Sequence, residues 1–135
     1  MDLETSLKIA AAGMHAQSAR LRVTAENLAN ARSTGEAPGD DPYRRKTVSF
    51  ANALDRATGA ELVEVRRYGR DTAPFEQRFE PSHPAANDKG YVSYPNVNPL
   101  IELMDMREAQ RSFEANLAAR QQARGMLQRT LDLLR

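Results

Sequence analysis

The chain has 135 residues and no cysteine. Disulfides, thiolate catalysis and cysteine-based zinc sites are therefore excluded. Tryptophan is also missing, and there are only four Phe and four Tyr within a hydrophobic fraction of 41%. That is thin material for a self-sufficient globule. No apolar run approaches the ~20 residues of a membrane-spanning helix. The N-terminal stretch MDLETSLKIAAAGMHAQ starts acidic and has no basic segment followed by an apolar block, so it does not read as a secretory signal peptide. Net charge is +1, which argues against a strongly basic nucleic-acid binder and against an acidic tail. Lysine is scarce too: only Lys8, Lys46 and Lys89 stand among the 19 basic residues, and the rest are Arg, a side chain suited to bidentate contacts.

Proline and glycine divide the chain into three zones. Residues 2–31 hold no Pro and one Gly; residues 32–98 hold six of the seven Pro and five of the seven Gly; residues 99–135 open on Pro99 and then hold only Gly125. The expected order is helix, a loop-rich and β-containing middle, helix. In the first zone Leu7, Met14, Leu21 and Leu28 recur every seven residues, and Leu3, Ala10, Gln17, Thr24 and Ala31 fill the alternate row. The last zone repeats the device, with Leu103, Gln110, Leu117, Arg124 and Leu131 in one row and Met106, Phe113, Arg120, Leu127 and Leu134 in the other. Asp2 is placed to cap the first helix. Asn98-Pro99 gives the second an Asn cap with Pro at its first position. Acidic residues early in that helix and Arg late complement its dipole. In the middle, residues 43–50, 61–68, 74–80 and 90–95 show partial alternation and predict short strands, enough for a hairpin or two. The Gly-, Pro- and Asp-rich stretches 33–42 and 80–90 predict exposed loops. The expected fold is mainly α with a small β part. Terminal segments 1–32 and 99–135 form a coiled-coil layer, and 33–98 forms the loop and β region.

Both helical seams contain polar members, so a two-helix hairpin built on them alone would be weak. Gly13 and Gly125 each cost about 1 kcal/mol against Ala in a helix interior, and small residues admit close approach of another helix. The pattern suggests helices that pack on several neighbours, including copies from other chains.

Catalytic signatures are hard to find. His15 and His83 are the only histidines, and neither lies in a metal-ligand spacing. Nucleophile elbows and phosphate-binding Gly loops are missing, and the loop aspartates read as turn formers. Arg44, Arg45 and Lys46 with Arg66, Arg67 and Arg70 could make a phosphate-binding patch, but acidic residues surround them. No catalytic, cofactor or metal residue is expected.

Two stretches carry a resemblance. VTAENLANARS (23–33) resembles the N-terminal signature of flagellar rod and hook proteins, with Asn27, Leu28, Ala29, Asn30 and Ser33 in the matching places. DKGYVSYPNVNPLIELMDMREAQRSFEANL (88–117) is similar to the C-terminal region of the proximal-rod members. The match runs through Gly90, Tyr91, Val92, Pro95, Asn96, Val97, Met104, Ala109, Arg111, Ser112, Phe113, Ala115 and Asn116, and Phe113 stands where Tyr is common. PYRRKTVSF (42–50) fits the first strand of the same family. The resemblance implies a structural subunit and not an enzyme. Its terminal helices would lie in an inner coiled-coil layer around an export channel, with the middle outside. It implies export by the flagellar type III apparatus without signal cleavage, and assembly in the periplasmic rod of the basal body. The partners implied are copies of itself, sibling rod proteins such as FlgB and FlgF, the basal-body adaptor FliE and the export apparatus. Nucleic acid and direct membrane insertion are not implied. Other readings of the residues are another rod paralogue, a free-standing coiled-coil adaptor or a weak nucleic-acid binder.

The residues expected at assembly contacts are Leu7, Gly13, Met14, Leu21, Asn27, Leu28, Asn30, Leu103, Met106, Phe113, Asn116, Leu117, Gly125, Leu127 and Leu131. Asn27 is expected to bond the backbone of an adjoining segment, so that Asn27→Ala would weaken assembly and leave protomer helicity little changed. Asn30 is expected to end the helix, where Asn tolerates the left-handed conformation, and Asn116 to act similarly from the second helix.

Overall fold

The computed structural model describes residues 2–135. Helix α1 spans Leu3–Ala29, strands β1 and β2 span Lys46–Asp55 and Ala60–Arg70, β3 and β4 span Glu76–Phe79 and Tyr91–Tyr94, and helix α2 spans Pro99–Leu133. The helices measure roughly 40 and 52 Å at 1.5 Å per residue. Both N-terminal caps form as expected. The Thr5 amide donates to Asp2 Oδ1 at 2.7 Å, and the Leu100 amide donates to Asn98 Oδ1 at 3.1 Å. β1 pairs with β2 and β3 with β4, the second pair antiparallel with Glu76 opposite Tyr94 and Phe79 opposite Tyr91. The first strand begins later than the alternation suggested and runs on through the alanines to Asp55. Residues 43–45 are held instead by side-chain contacts, the Arg45 amide donating to Asn96 Oδ1 at 2.8 Å.

The chain packs as two units. The first comprises the N-terminal segment through Leu21, Val48–Arg67 and Arg107–Arg135. Within it α1 and α2 run antiparallel. Gly13 lies against Asn116, Arg20 pairs with Glu108 at 3.6 Å, and Leu7 and Lys8 share a cleft with Arg120 and Arg124. Its buried apolar residues are Ala10, Ala16, Ala19, Ala109 and Ala123. A core of methyl groups lets the helix backbones approach closely but removes little apolar area from water.

The second unit comprises Arg22–Thr47 and Tyr68–Met106. Val23, Ala85 and Val92 supply its buried apolar residues, and Thr24, Asn27 and Glu102 are buried beside them. Gly90 has φ near +83°, and a Cβ there would stand 2.9 Å from the Phe79 ring, so the 80–90 loop requires glycine at this position.

The periodicity on α2 is confirmed in its repeat and corrected in its phase. The buried row is Glu102, Ala109 and Ala123, with half-buried Asn116 completing the seven-residue spacing. It falls one residue before the Leu103–Leu131 row read from the sequence. Leu103 and Leu131 are exposed. In the first unit the buried positions of this row are the small residues Ala109 and Ala123, and the larger side chains are displaced to its flanks.

Candidate functional site

The second unit is organised around Asn27. Its Nδ2 donates to the Lys46 carbonyl at 2.9 Å and to Glu102 Oε2 at 3.3 Å. Its Oδ1 accepts from the Tyr43 hydroxyl and from the Lys46 amide, both at 2.8 Å. The side chain is fully buried. Glu102, also fully buried, accepts a charge-assisted hydrogen bond from Arg45 Nε. Arg45 reaches further to Asp71 Oδ2 at 3.5 Å and Asp105 Oδ2 at 3.8 Å. Asn96 Nδ2 donates to the carbonyls of Asp71 and Ala73, which also accept from Arg44 Nη1. The Arg44 guanidinium stacks 4.2 Å over the Phe75 ring. One polar network thus ties the end of α1, the approach to β1, the turn after β2 and the first turn of α2.

Titration follows the same geometry. Burial pushes the Tyr43 phenol above its ordinary value. Burial opposes charge on Arg45, but the Glu102 hydrogen bond and the carboxylates of Glu102, Asp71 and Asp105 outweigh it and hold the guanidinium above its ordinary value. Half-buried Glu26 is held below the usual carboxylate range by its 2.8 Å bond to Lys46 Nζ.

This arrangement joins segments of the chain that are distant in sequence. Among the described residues no group of three His, Cys, Asp or Glu side chains is placed to hold a metal ion, and no helix is long and apolar enough to cross a membrane. His15 is exposed, and His83 Nδ1 accepts from the Ala85 amide at 3.0 Å.

The residues expected at contacts fall into distinct environments. Asn27 bonds the backbone of an adjoining segment, its own chain's Lys46, and is fully buried there. Asn30 ends α1 without a left-handed backbone, since every positive φ among the described residues belongs to glycine. Its amide instead donates to the Glu26 carbonyl at 2.9 Å, and its Oδ1 accepts from Ser33. Asn116 folds back on Ser112 at 2.9 Å and faces Gly13. Leu7, Met14, Leu21 and Leu28 on α1 and Met106, Phe113 and Leu117 on α2 are half-buried. Leu103, Leu127 and Leu131 are exposed, and nothing lies within 4 Å of a Cβ built on Gly125. Nothing in the sequence pattern marks Tyr43, Arg45, Lys46 and Glu102 as a joint contact. Glu102 reads in sequence as an N-terminal acid favoured by the helix dipole, and only the seven-residue line of Glu102 with Ala109, Asn116 and Ala123 hints that it faces inward.

A family model described as flagellar basal body rod FlgEFG protein C-terminal matches residues 88–133. The flagellar basal-body rod protein FlgC of Agrobacterium fabrum is 51% identical over 133 residues, covering 98% of this chain and 96% of that protein. The FlgC of Escherichia coli O157:H7 is 40% identical, with 98% of each chain covered, and that of Borreliella burgdorferi is 33% identical with 99% of each covered. Similarity at this level along nearly the whole length places the chain in the FlgC family of flagellar basal-body rod proteins.

Proposed function

We propose that the chain is a structural subunit of the proximal rod of the bacterial flagellar basal body, built into a hollow rod by its terminal helices. Residues 1–32 and 99–135 are the assembly part, a coiled-coil layer around the export channel, and 33–98 forms the outer loop and β part. It performs no catalysis. It is exported by the flagellar type III apparatus without a cleaved signal and assembles in the periplasm. Copies of itself, siblings such as FlgB and FlgF, and the adaptor FliE are its partners.

The observation that carries this reading beyond family membership is on α2. Arg124 lies beside Glu4 and Leu7 near the start of α1, and α2 continues past that point to Leu133. Met126, Leu127, Leu131, Leu133 and Leu134 are all exposed there, the last two at 87% and 79%. Scattered exposed leucines need no explanation, but a leucine-rich helix end beyond its partner matches a subunit contact.

The test pairs Leu131→Glu with Leu134→Glu. These positions are already exposed, so the protomer should keep its helical signal and lose no more than about 0.5 kcal/mol of stability. Co-sedimentation with sibling rod proteins and incorporation into basal bodies should both be lost. Normal rods containing the double variant would overturn the assembly role of this helix end. A defined small oligomer, independent of concentration and indifferent to siblings, would favour a free-standing adaptor instead.

A further inference from the structure

A cleft of about 350 Å³ in the second unit adjoins the network around Asn27 and shares only Lys46 with it. Arg22 and Glu26 of α1, Lys46 of β1, and Tyr68 and Arg70 of β2 line it. The Glu26 carboxylate is taken up by Lys46 at 2.8 Å. Arg22 is oriented by Tyr68, whose hydroxyl accepts from its Nη2 at 3.0 Å and whose ring lies 5.4 Å from its guanidinium carbon. Neither Arg22 nor Arg70 has an ion pair among the described residues. Two guanidinium groups, one pre-oriented on an aromatic wall, therefore line an open cleft whose one carboxylate, Glu26, is already bonded to Lys46. Such groups bind carboxylates in a bidentate manner.

The same unit presents the complementary chemistry. The 33–42 loop carries Glu36, Asp40 and Asp41 and no basic residue. All three are exposed. The loop is closed at its base by the Tyr43 amide donating to the Ser33 carbonyl at 2.9 Å. Inside it the Ala37 amide donates to Asp40 Oδ2 at 3.1 Å. Asp40 thus holds the turn, while Glu36 and Asp41 have no ion-pair partner among the described residues. A compact loop with its ends tied presents these carboxylates with little further ordering.

We infer that the cleft at Arg22 and Arg70 receives the Glu36–Asp41 loop of a second copy of this chain. The inference rests on the rod reading. A subunit that carries both halves of a contact on different surfaces associates head to tail, and such a heterologous contact propagates as an open helical array when it does not close a ring. Exposed ion pairs of this kind set register and reject wrong neighbours more than they add affinity. The leucine-rich end of α2 supplies adhesion, and the cleft and loop fix which copy sits where.

Since the chain has no cysteine, thiol cross-linking is clean. Ala37→Cys and Thr72→Cys, both next to the charges and leaving them intact, are co-expressed in a flagellated host. Basal bodies are isolated and treated with a short bis-maleimide. The expected product is a dimer joining one variant to the other, in excess over either variant expressed alone. Adding Arg22→Glu and Arg70→Glu should lower its yield by about tenfold, since like charges then face each other. Adding Glu36→Arg and Asp41→Arg to that background should restore it, which a merely misfolded variant cannot do. Basal bodies that contain the chain but give no such dimer, a product joined only to a different protein, or a yield indifferent to charge would each overturn the inference while leaving the rod reading intact. Absence of the chain from basal bodies would remove both.

Discussion

An asparagine amide has two donor hydrogens and two acceptor positions, and Asn27 uses all of them at once. Removing it does more than delete one contact. Asn27→Ala would leave the buried Glu102 carboxylate, the Tyr43 hydroxyl and both backbone groups of Lys46 short of partners. Unmade bonds of buried groups cost more than the net worth of a made one, so a loss of about 2–4 kcal/mol is expected in urea unfolding. Protomer structure and assembly should therefore decline together, in place of the assembly-only defect that the sequence suggested. An unfolding midpoint equal to wild type would contradict the network. Tyr43 adds a pH dependence. Its folded pKa is raised by burial, so the folded chain holds the phenolic proton longer than the unfolded chain does. Its contribution is fully present below the unfolded value of about 10 and is lost as pH rises through the higher folded value. Tyr94, raised mainly by its hydrogen bond to Glu80, acts in the same direction. Thermal melts should show declining stability above pH ~10, with a shallower decline in Tyr43→Phe, whose phenol can no longer titrate. The bonding role of Asn27 could be read from the sequence because amides at helix ends commonly seek backbone groups. Its partners could not, because Lys46 lies 19 positions away and Glu102 lies 75.

Two glycines interrupt the helices, and their surroundings separate them. A Cβ at Gly13 would stand 2.7 Å from Asn116 Oδ1, while one at Gly125 would meet nothing within 4 Å. Gly13 therefore has a packing reason in the protomer, and Gly125 has none there. Gly125→Ala should stabilise the isolated chain by about 1 kcal/mol through helix propensity alone. Gly13→Ala must displace an amide already bonded to the Ser112 carbonyl and should destabilise it. Joining Gly13→Ala to Asn116→Ala should recover much of that loss. A double-mutant cycle in urea reads the coupling directly, and additive effects would mean that the two residues do not meet. If Gly125→Ala stabilises the chain yet impairs rod incorporation, the glycine serves an approach made only in the assembly. At this scale much was legible: the helix caps at Asp2 and Asn98, the seven-residue repeat and the two hairpins. The phase of the α2 repeat was not. Hydrophobicity marks Leu103 over Glu102, whereas packing chose the line that Ala109, Asn116 and Ala123 could bring closest to a neighbouring helix. The extent of β1 was hidden for a related reason, since ANALD in 51–55 has weak strand preference and is extended by pairing with β2.

The two units differ in what holds them. The first buries only alanines as its apolar core and leaves the end of α2 uncovered. The second is bound by an internal polar network whose members come from segments distant in sequence. Long helices draw stability from packing, so α1 should not be uniformly firm in the free protomer. Amide exchange in dilute solution should be slow at residues 23–29, which include Asn27, and at the first turns of α2 around Glu102. It should be fast toward Leu3 and through residues 126–133. Opening of the weakly packed segments should carry only a small part of the global unfolding free energy. On assembly the fast segments should become protected, with the entropy of their ordering offset by the apolar area that the subunit contacts bury. Asn27→Ala should invert the free-protomer pattern locally, raising exchange at residues 23–29 toward that of the helix ends. Uniform strong protection from residue 3 to residue 30 in the dilute protomer would mean that α1 needs no neighbour to fold. The leucine-rich end of α2 would then be an isolated feature and not half of an interface.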